Sequence, residues 1–474
     1  MILKNCEKRN FKEKFEEMNY LYRVWTLRMI TPIGRVAVLK SLILSKLIHL
    51  FILLPNPPEK IVKDIQAVCY KFVWSDKPDK ISRATASKAV KDGGINIPDI
   101  KTYITSLKLT WFRKYKKSKH KWKSIVDEMI PCLKNINKYG PMYKDKINTR
   151  NKFWEDCLDA YRIYYNSYQP EKEEDVLSEN IFNNEKLRIG GRVIWEPTWF
   201  NNGVYCIGHF INENGKLYTR DEFCIAYNIN AKIMTYNGCI SSISSFLKKS
   251  KTTLKDNSFP DVPLPLRQIY SIHKGAKLYY NQLITNENKP NCCAKWTVKF
   301  IQDINWKKIF ELLHKTKEVK LKWLQMRIVH RIIGTNVVLK EMNERDTDRC
   351  TFCRNERESI EHLFWRCEIS NKFWHDFQRL LNEKCVIASR MRVTEMLILF
   401  GCDGNIVTDK VFDEILLVAK SFLFNCKYHN QLPDVHSYIQ YLRKHYDSIE
   451  YNAKVKDRYE GFQVDWMFYK VLIE

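Results

Sequence analysis

Acidic side chains are the first shortage. Against 79 Lys and Arg, the 474-residue chain sets only 54 Asp and Glu, a formal charge of +25. An excess of that size goes beyond what solubility asks for and favours a polyanionic partner, nucleic acid or an acidic membrane surface. Glycine is scarce as well, at 15. The pair Gly93-Gly94 is followed by no Lys-Ser or Lys-Thr, and two glycines are too few to cradle a triphosphate, so a phosphate-binding loop is excluded there. Cysteine is not scarce, but its 15 copies are an odd number without a disulfide-framework spacing. Met1 to Glu16 is charged and has no apolar core, so no signal peptide is expected and the thiols are expected to be reduced, in the cytosol or nucleus. No clean apolar span is present either. The nearest, Gly34 to Ile52, is interrupted by Arg35, Lys40, Lys46 and His49 and ends at Pro55, Pro57 and Pro58. Those basic residues are too costly in a bilayer, so this stretch reads as a buried helix at the centre of a small bundle. No transmembrane segment and no repeat of fixed period are expected.

What is present describes a folded, mainly α protein. Hydrophobic residues make up 45% and aromatics 13%, too much for a disordered tail. The length predicts two to four domains. Phe11, Phe15, Met18 and Tyr22 recur at helical spacing within Asn10 to Trp25. Thr31 reads as a helix cap with Pro32 at the first helical position. Glu59 to Trp74 reads as an amphipathic helix on Ile61, Ile65, Val68, Phe72 and Val73. Further helices are expected at Ile233 to Phe246, at Phe373 to Leu380, at Val393 to Phe400, at Phe412 to Phe424 and around Tyr438, Leu442 and Tyr446. Thr219 or Asp221 is expected to cap a helix through Phe223. Residues 131 to 196, rich in Asn, Tyr and Lys, read as a linker or loose bridge, and Pro260 to Pro265 as a boundary.

The most specific chemistry lies between Cys350 and Cys367. Cys350 and Cys353 have the two-residue spacing of a metal-binding hairpin; eight residues then precede His362 and four more precede Cys367. Three sulfurs and one imidazole close a tetrahedral zinc shell with no open position, which makes the site structural and not catalytic. Asp346, Asp348 and Arg349 read as its entry loop, and Ile360 to Arg366 as the start of a helix with Cys367 inside it or at its end. The competing reading is three unbound thiols and a histidine in a reducing compartment; a redox dithiol is weaker still, because the motif is not one compact pair.

Two basic stretches are candidate nucleic-acid contacts. Thr102 to Trp122 reads as one helix in which Trp111, Tyr115 and Trp122 interleave with Lys108, Arg113, Lys114, Lys116, Lys117 and Lys121. Such interleaving suits a phosphate backbone with unpaired bases; the alternative is a solvated face. Later, Leu321, Leu324, Ile328 and Ile332 line one side of a helix whose remainder carries Lys320, Lys322, Arg327, His330 and Arg331. His330 is expected at the surface or facing phosphate, not on the metal. Arg35 and Lys46 join the candidate contacts.

These segments together are similar to a known family. Arg28 to Leu54 resembles the thumb that follows the palm in reverse transcriptases of LINE-type (non-long-terminal-repeat) retrotransposons. Phe72-Val73-Trp74-Ser75-Asp76-Lys77, Gly93 to Ile100 and Leu107-Lys108-Leu109-Thr110-Trp111 continue the resemblance. Trp323-Leu324-Gln325-Met326-Arg327-Ile328 with Cys350 to Cys367 resembles the zinc-binding region of the same polyproteins, and Leu416 to Lys420 with Cys426 and Lys427 resembles their far C-terminal helix. The resemblance implies a helical thumb bundle at 10–130, a linking, wrist-like region at 131–265 and a helical C-terminal domain at 266–474 holding a structural zinc knuckle. It implies RNA or DNA as partner, element-derived template RNA in particular, and no small-molecule substrate. The paired aspartates that hold catalytic Mg²⁺ in such polymerases have no counterpart, since no Asp-Asp pair occurs in the chain. The endonuclease, fingers and palm would lie upstream. The expectation is therefore a non-catalytic, nucleic-acid-binding fragment, with no catalytic residues; the alternative is a zinc-stabilised structural or protein-interaction module.

Overall fold

The computed structural model describes residues 2–143, 151–250, 259–273, 275–284, 289–300, 304–385, 392–401 and 410–474. It is mainly α-helical, as the periodicities predict. Among the described residues the one sheet is a two-stranded antiparallel pair, Arg188–Ile189 with Arg192–Val193. The chain forms two compact units, each assembled from separated stretches: Met1–Tyr22, Leu42–Val68 and Pro98–Thr285 in the first; Arg23–Ser41, Cys69–Ile97 and Asn286–Glu474 in the second.

The apolar stretch expected as one buried helix is broken where the chain leaves the second unit for the first. Thr31 caps it as read, its hydroxyl accepting from the Gly34 N–H at 3.2 Å with Pro32 next in line. The α-helix Pro32–Val38 then gives way to a π-turn, Leu39–Ile43, and restarts as Ser45–Leu53. No single helix among the described residues is long and apolar enough to cross a membrane.

In the first unit the organising helix is Ile100–Lys117. Asp99 caps it by accepting from the Thr102 N–H at 2.8 Å. Ser45–Leu53, Lys152–Ser167, Leu264–Ser271 and Gly275–Ile284 pack against it. The helix read from Thr102 to Trp122 in fact ends at Lys117: Ser118 turns extended, and Trp122 opens a separate helix, Trp122–Met129. The break lets Trp122 meet Trp111 edge-on at 6.0 Å, a packing gain a continuous helix would forgo. The tract read as a loose bridge is packed where it is described. Lys152–Ser167 buries Trp154, Tyr161, Tyr164 and Tyr165; residues 144–150 and 251–258 lie outside the described residues. A further core joins Trp199, Phe210, Phe223 and Tyr236, and Thr219 caps the Arg220–Tyr227 helix reciprocally with Glu222.

In the second unit Val319–Val329 is the hub. Pro32–Val38, Trp306–Lys315, Glu395–Phe400 and Lys410–Tyr428 pack on it, and Val435–Val455 lies against Lys410–Tyr428. Trp306–Lys315 rests on the turn Val90–Asp92. Gly93 ends that turn at φ +82°, and a Cβ there would fall 2.7 Å from Phe310 and 2.8 Å from Pro290, so the glycine serves close packing. His330 is not at the surface as expected. It is 7% exposed and lies parallel to Phe310 at 6.5 Å.

Candidate metal centre

The Cys350–Cys353 hairpin is held by its own backbone. The Cys350 N–H donates to the Glu356 carbonyl at 2.7 Å, and the Arg354 N–H to the Cys350 carbonyl at 3.0 Å. Arg354 takes the left-handed conformation, φ +61°, that such a tight reversal requires. The other two donors come from a helix irregularity. His362–Arg366 is a π-turn, closed by the Cys367 N–H on the His362 carbonyl at 2.9 Å. A five-residue separation matches the wider π repeat, so His362 and Cys367 reach the same side. Cys367 then sits at the N-cap of the helix Glu368–Lys384.

One donor atom from each of Cys350, Cys353, His362 and Cys367 lies within 4.8 Å of the others. The Cys350 and Cys367 sulfurs are 3.8 Å apart, and Cys353 Sγ is 3.4 Å from His362 Nε2. Zinc with Zn–S of about 2.3 Å and Zn–N of about 2.0 Å in a tetrahedron separates sulfurs by about 3.8 Å and sulfur from nitrogen by about 3.5 Å. The donors therefore fit zinc in type, number and spacing. His362 Nδ1, on the far side of the ring, is 3.2 Å from the Glu356 carboxylate, a charge contact not aligned as a hydrogen bond.

Electrostatics agree. The hydrogen bond from Cys350 does most to hold the Cys367 thiol down; burial opposes it, and His362 and the N–H groups of Ser370 and Ile369 add to it. That same bond, then burial, pushes the Cys350 thiol up. Hydrogen bonding to Cys367, against the cost of burial and helped by Cys353, raises His362 to about 9. The pocket is thus poised for positive charge, and a cation bound there displaces protons.

Behind the hairpin lies a buried polar network that sequence reading missed. Glu358, 0% exposed, accepts from the Thr351 N–H at 2.8 Å and the Asn336 N–H at 2.9 Å, and pairs with Lys427 at 3.1 Å. Lys427 also donates to the Gly334 carbonyl at 2.8 Å, and Arg345 to Asn336 at 2.7 Å. Thr351 stands between the two hairpin cysteines, so this ion pair fixes their loop. Glu361, beside His362, is braced by Arg331 at 2.7 Å and Lys299 at 2.9 Å. Glu358 carried no signal in sequence, because one carboxylate among charged neighbours looks solvated.

Residues 278–374 match a family model described as zinc-binding in reverse transcriptase. The matched segment contains all four donors and the hub helix.

The basic candidates divide by environment. Arg35 is 5% exposed, and its guanidinium donates to the carbonyls of Phe72 at 3.0 Å and of Thr26 and Arg28 at 3.2 Å each. Lys108 is fully buried and donates to the Leu54 carbonyl, its ammonium 4.3 Å from the Phe153 ring centre; burial pulls it down to about 8. Arg113 donates to the Ile272 carbonyl, and Lys46 pairs with Glu17 at 2.9 Å. Lys114 is exposed and lies 4.2 Å over Trp111. Lys116, Lys117, Lys121 and Lys320 are exposed, Lys116 being 5.6 Å from Tyr270. Arg327 stacks on Phe424 at 5.1 Å and Arg331 on Trp296 at 4.2 Å. The Lys114–Lys121 set belongs to the first unit and the Lys320–Arg331 set to the second.

Proposed function

We propose that this chain is a non-catalytic, nucleic-acid-binding portion of a LINE-type retrotransposon reverse transcriptase, comprising its thumb and C-terminal zinc region. The observation that carries the reading is the coincidence of a segment matching zinc-binding in reverse transcriptase with a four-donor Cys₃His cluster, in a chain of charge +25. One zinc ion per chain is structural, because four protein donors leave no position for substrate. The partner is RNA or DNA, element-derived template RNA in particular, met in the cytoplasm or nucleus. The contacts are drawn from Lys114, Lys116, Lys117, Lys121, Lys320 and Arg327. Arg35 and Lys108 instead serve the fold, since each ends on backbone carbonyls inside it.

Two measurements on the purified chain test the reading. With a primed RNA template and Mg²⁺, incorporation is expected to stay at background; metal-dependent extension would overturn the non-catalytic assignment. In titrations at several salt concentrations, log affinity is expected to fall with log salt at about −0.9 per phosphate contact on duplex and about −0.7 on single strands. No binding even at low salt would leave a zinc-stabilised interaction module in its place.

A further inference from the structure

A cavity of about 950 Å³ opens within the second unit. Its wall brings together two segments far apart in sequence, Val73 to Lys80 and Trp323 to Glu344, with Trp74, Lys77, Lys80, Trp323, Arg327 and Arg331 among its lining. Trp74 is 3% exposed and backs Trp323 at 6.2 Å with a 49° tilt. Trp323 is only partly buried, so one indole supports and the other is offered. Ser75 and Asp76 both hold positive φ, 55° and 58°, and this costly turn swings the chain from the buried Trp74 out to the exposed Lys77 and Lys80. Neither lysine has an ion pair recorded among the described residues. Asp79, Glu341 and Glu344 border the same space; Asp79 is engaged by Arg83 at 2.8 Å.

We propose that this cavity takes an unpaired nucleobase of a single strand. The base stacks on Trp323, the flanking phosphate meets Lys77 and Lys80, and the carboxylates of Glu341 and Glu344 accept from the N–H groups of the base edge. Each part answers a different need. An indole face attracts any base and gains nothing from a bare phosphate; lysines at the rim follow the backbone; carboxylates reward a base edge and repel a polyanion that lacks one. The volume suits a small-molecule-sized guest, whereas a paired helix cannot present its bases there. The proposal rests on the nucleic-acid reading above and adds strand type and place.

The test uses the zinc-loaded full chain against a short unstructured RNA, the same sequence as single-stranded DNA, the matching duplex, and heparin. Trp323→Ala is expected to lower affinity for both single strands by about 5- to 150-fold, the range for losing one stacked base. Duplex and heparin binding should hold. Trp323→Phe should restore most of the loss, and Lys77→Ala with Lys80→Ala should lower single-strand affinity without touching the core. Equal loss on all four ligands, or no loss on single strands, overturns the proposal. Should Trp323→Ala lose its zinc or its fold, photo-cross-linking of wild type to 4-thiouridine RNA decides: adducts on the peptides containing Trp74 or Trp323 support it, and adducts elsewhere alone overturn it. Wild type that binds no nucleic acid at low salt defeats the parent reading; wild type that binds while ignoring Trp323 defeats only this one.

Discussion

His330 shows how burial converts a switchable side chain into a fixed one. Burial lowers its imidazole to about 4, against a hydrogen bond to the Gly93 carbonyl that works the other way. The unfolded chain binds that proton near pH 6.5. The folded value is depressed, so the contribution to stability is fully present above about 6.5 and is lost as pH falls toward 4, by about 3 kcal/mol in all. Urea melts between pH 7 and 4.5 should therefore show wild type losing stability faster than His330→Leu, with the two curves converging or crossing on the acid side. Parallel curves would mean that the ring is solvated. This burial was illegible in sequence, because His330 follows Arg327 on a strongly basic helix and a count of charges cannot show which way a ring faces. The same holds for Arg35 and Lys108. The metal donors were legible because their spacing is chemistry: a hairpin pair, then an imidazole and a thiol set by one irregular turn.

At the scale of elements, caps and breakers were readable and interruptions were not. Thr31-Pro32, the cap near Thr219 or Asp221, which proves to be Thr219, and the prolines after Leu54 each act within a few residues, so sequence shows them. The stop at Ser118 and the π-turns at Leu39–Ile43 and His362–Arg366 answer to packing from distant segments. Element-scale stability at the metal hairpin rests on the Glu358–Lys427 pair, a link between the Lys410–Tyr428 helix and the cysteine loop that no local pattern announces. Glu358→Gln keeps the shape and removes the charge, leaving Lys427 buried and uncompensated. Breaking a buried pair this way costs about 3–5 kcal/mol. Thermal melting should fall accordingly, and zinc retention against a competing chelator should weaken, because the Thr351 N–H loses its charged acceptor. Glu358→Gln with Lys427→Met should recover much of the loss; if the double variant is no better than the single one, the pair is not what holds the loop.

At the scale of the whole molecule the two basic sets should answer to different treatments. On the proposed nucleic-acid reading, the first-unit set is expected to act as unspecific charge: neutralising Lys114, Lys116 and Lys117 together should weaken binding about equally for all sequences and reduce the salt slope by about one per phosphate contact removed. On the same proposal, the second-unit set is expected to depend on the metal. From the hairpin, a continuous chain of bonds runs from the Thr351 N–H to Glu358, on to Lys427 and then to the carbonyl of Gly334, which itself lines the cavity beside Arg327 and Trp323. Removing zinc, by chelation or by Cys353→Ser, unties the hairpin because site formation and local folding are coupled. The slack should pass along that chain to the cavity wall and loosen the Glu368–Lys384 helix that Cys367 caps. Metal loss should therefore lower single-strand affinity more than duplex affinity while leaving the salt slope nearly unchanged, since few phosphate contacts are lost. The triple lysine variant should do the reverse, and the two effects should add in free energy because they share no partner residue. Metal content by mass spectrometry, paired with the salt titrations, separates the cases. A zinc-free chain that binds single strands with wild-type affinity would show that the metal holds the hairpin alone and that the cavity is shaped without it.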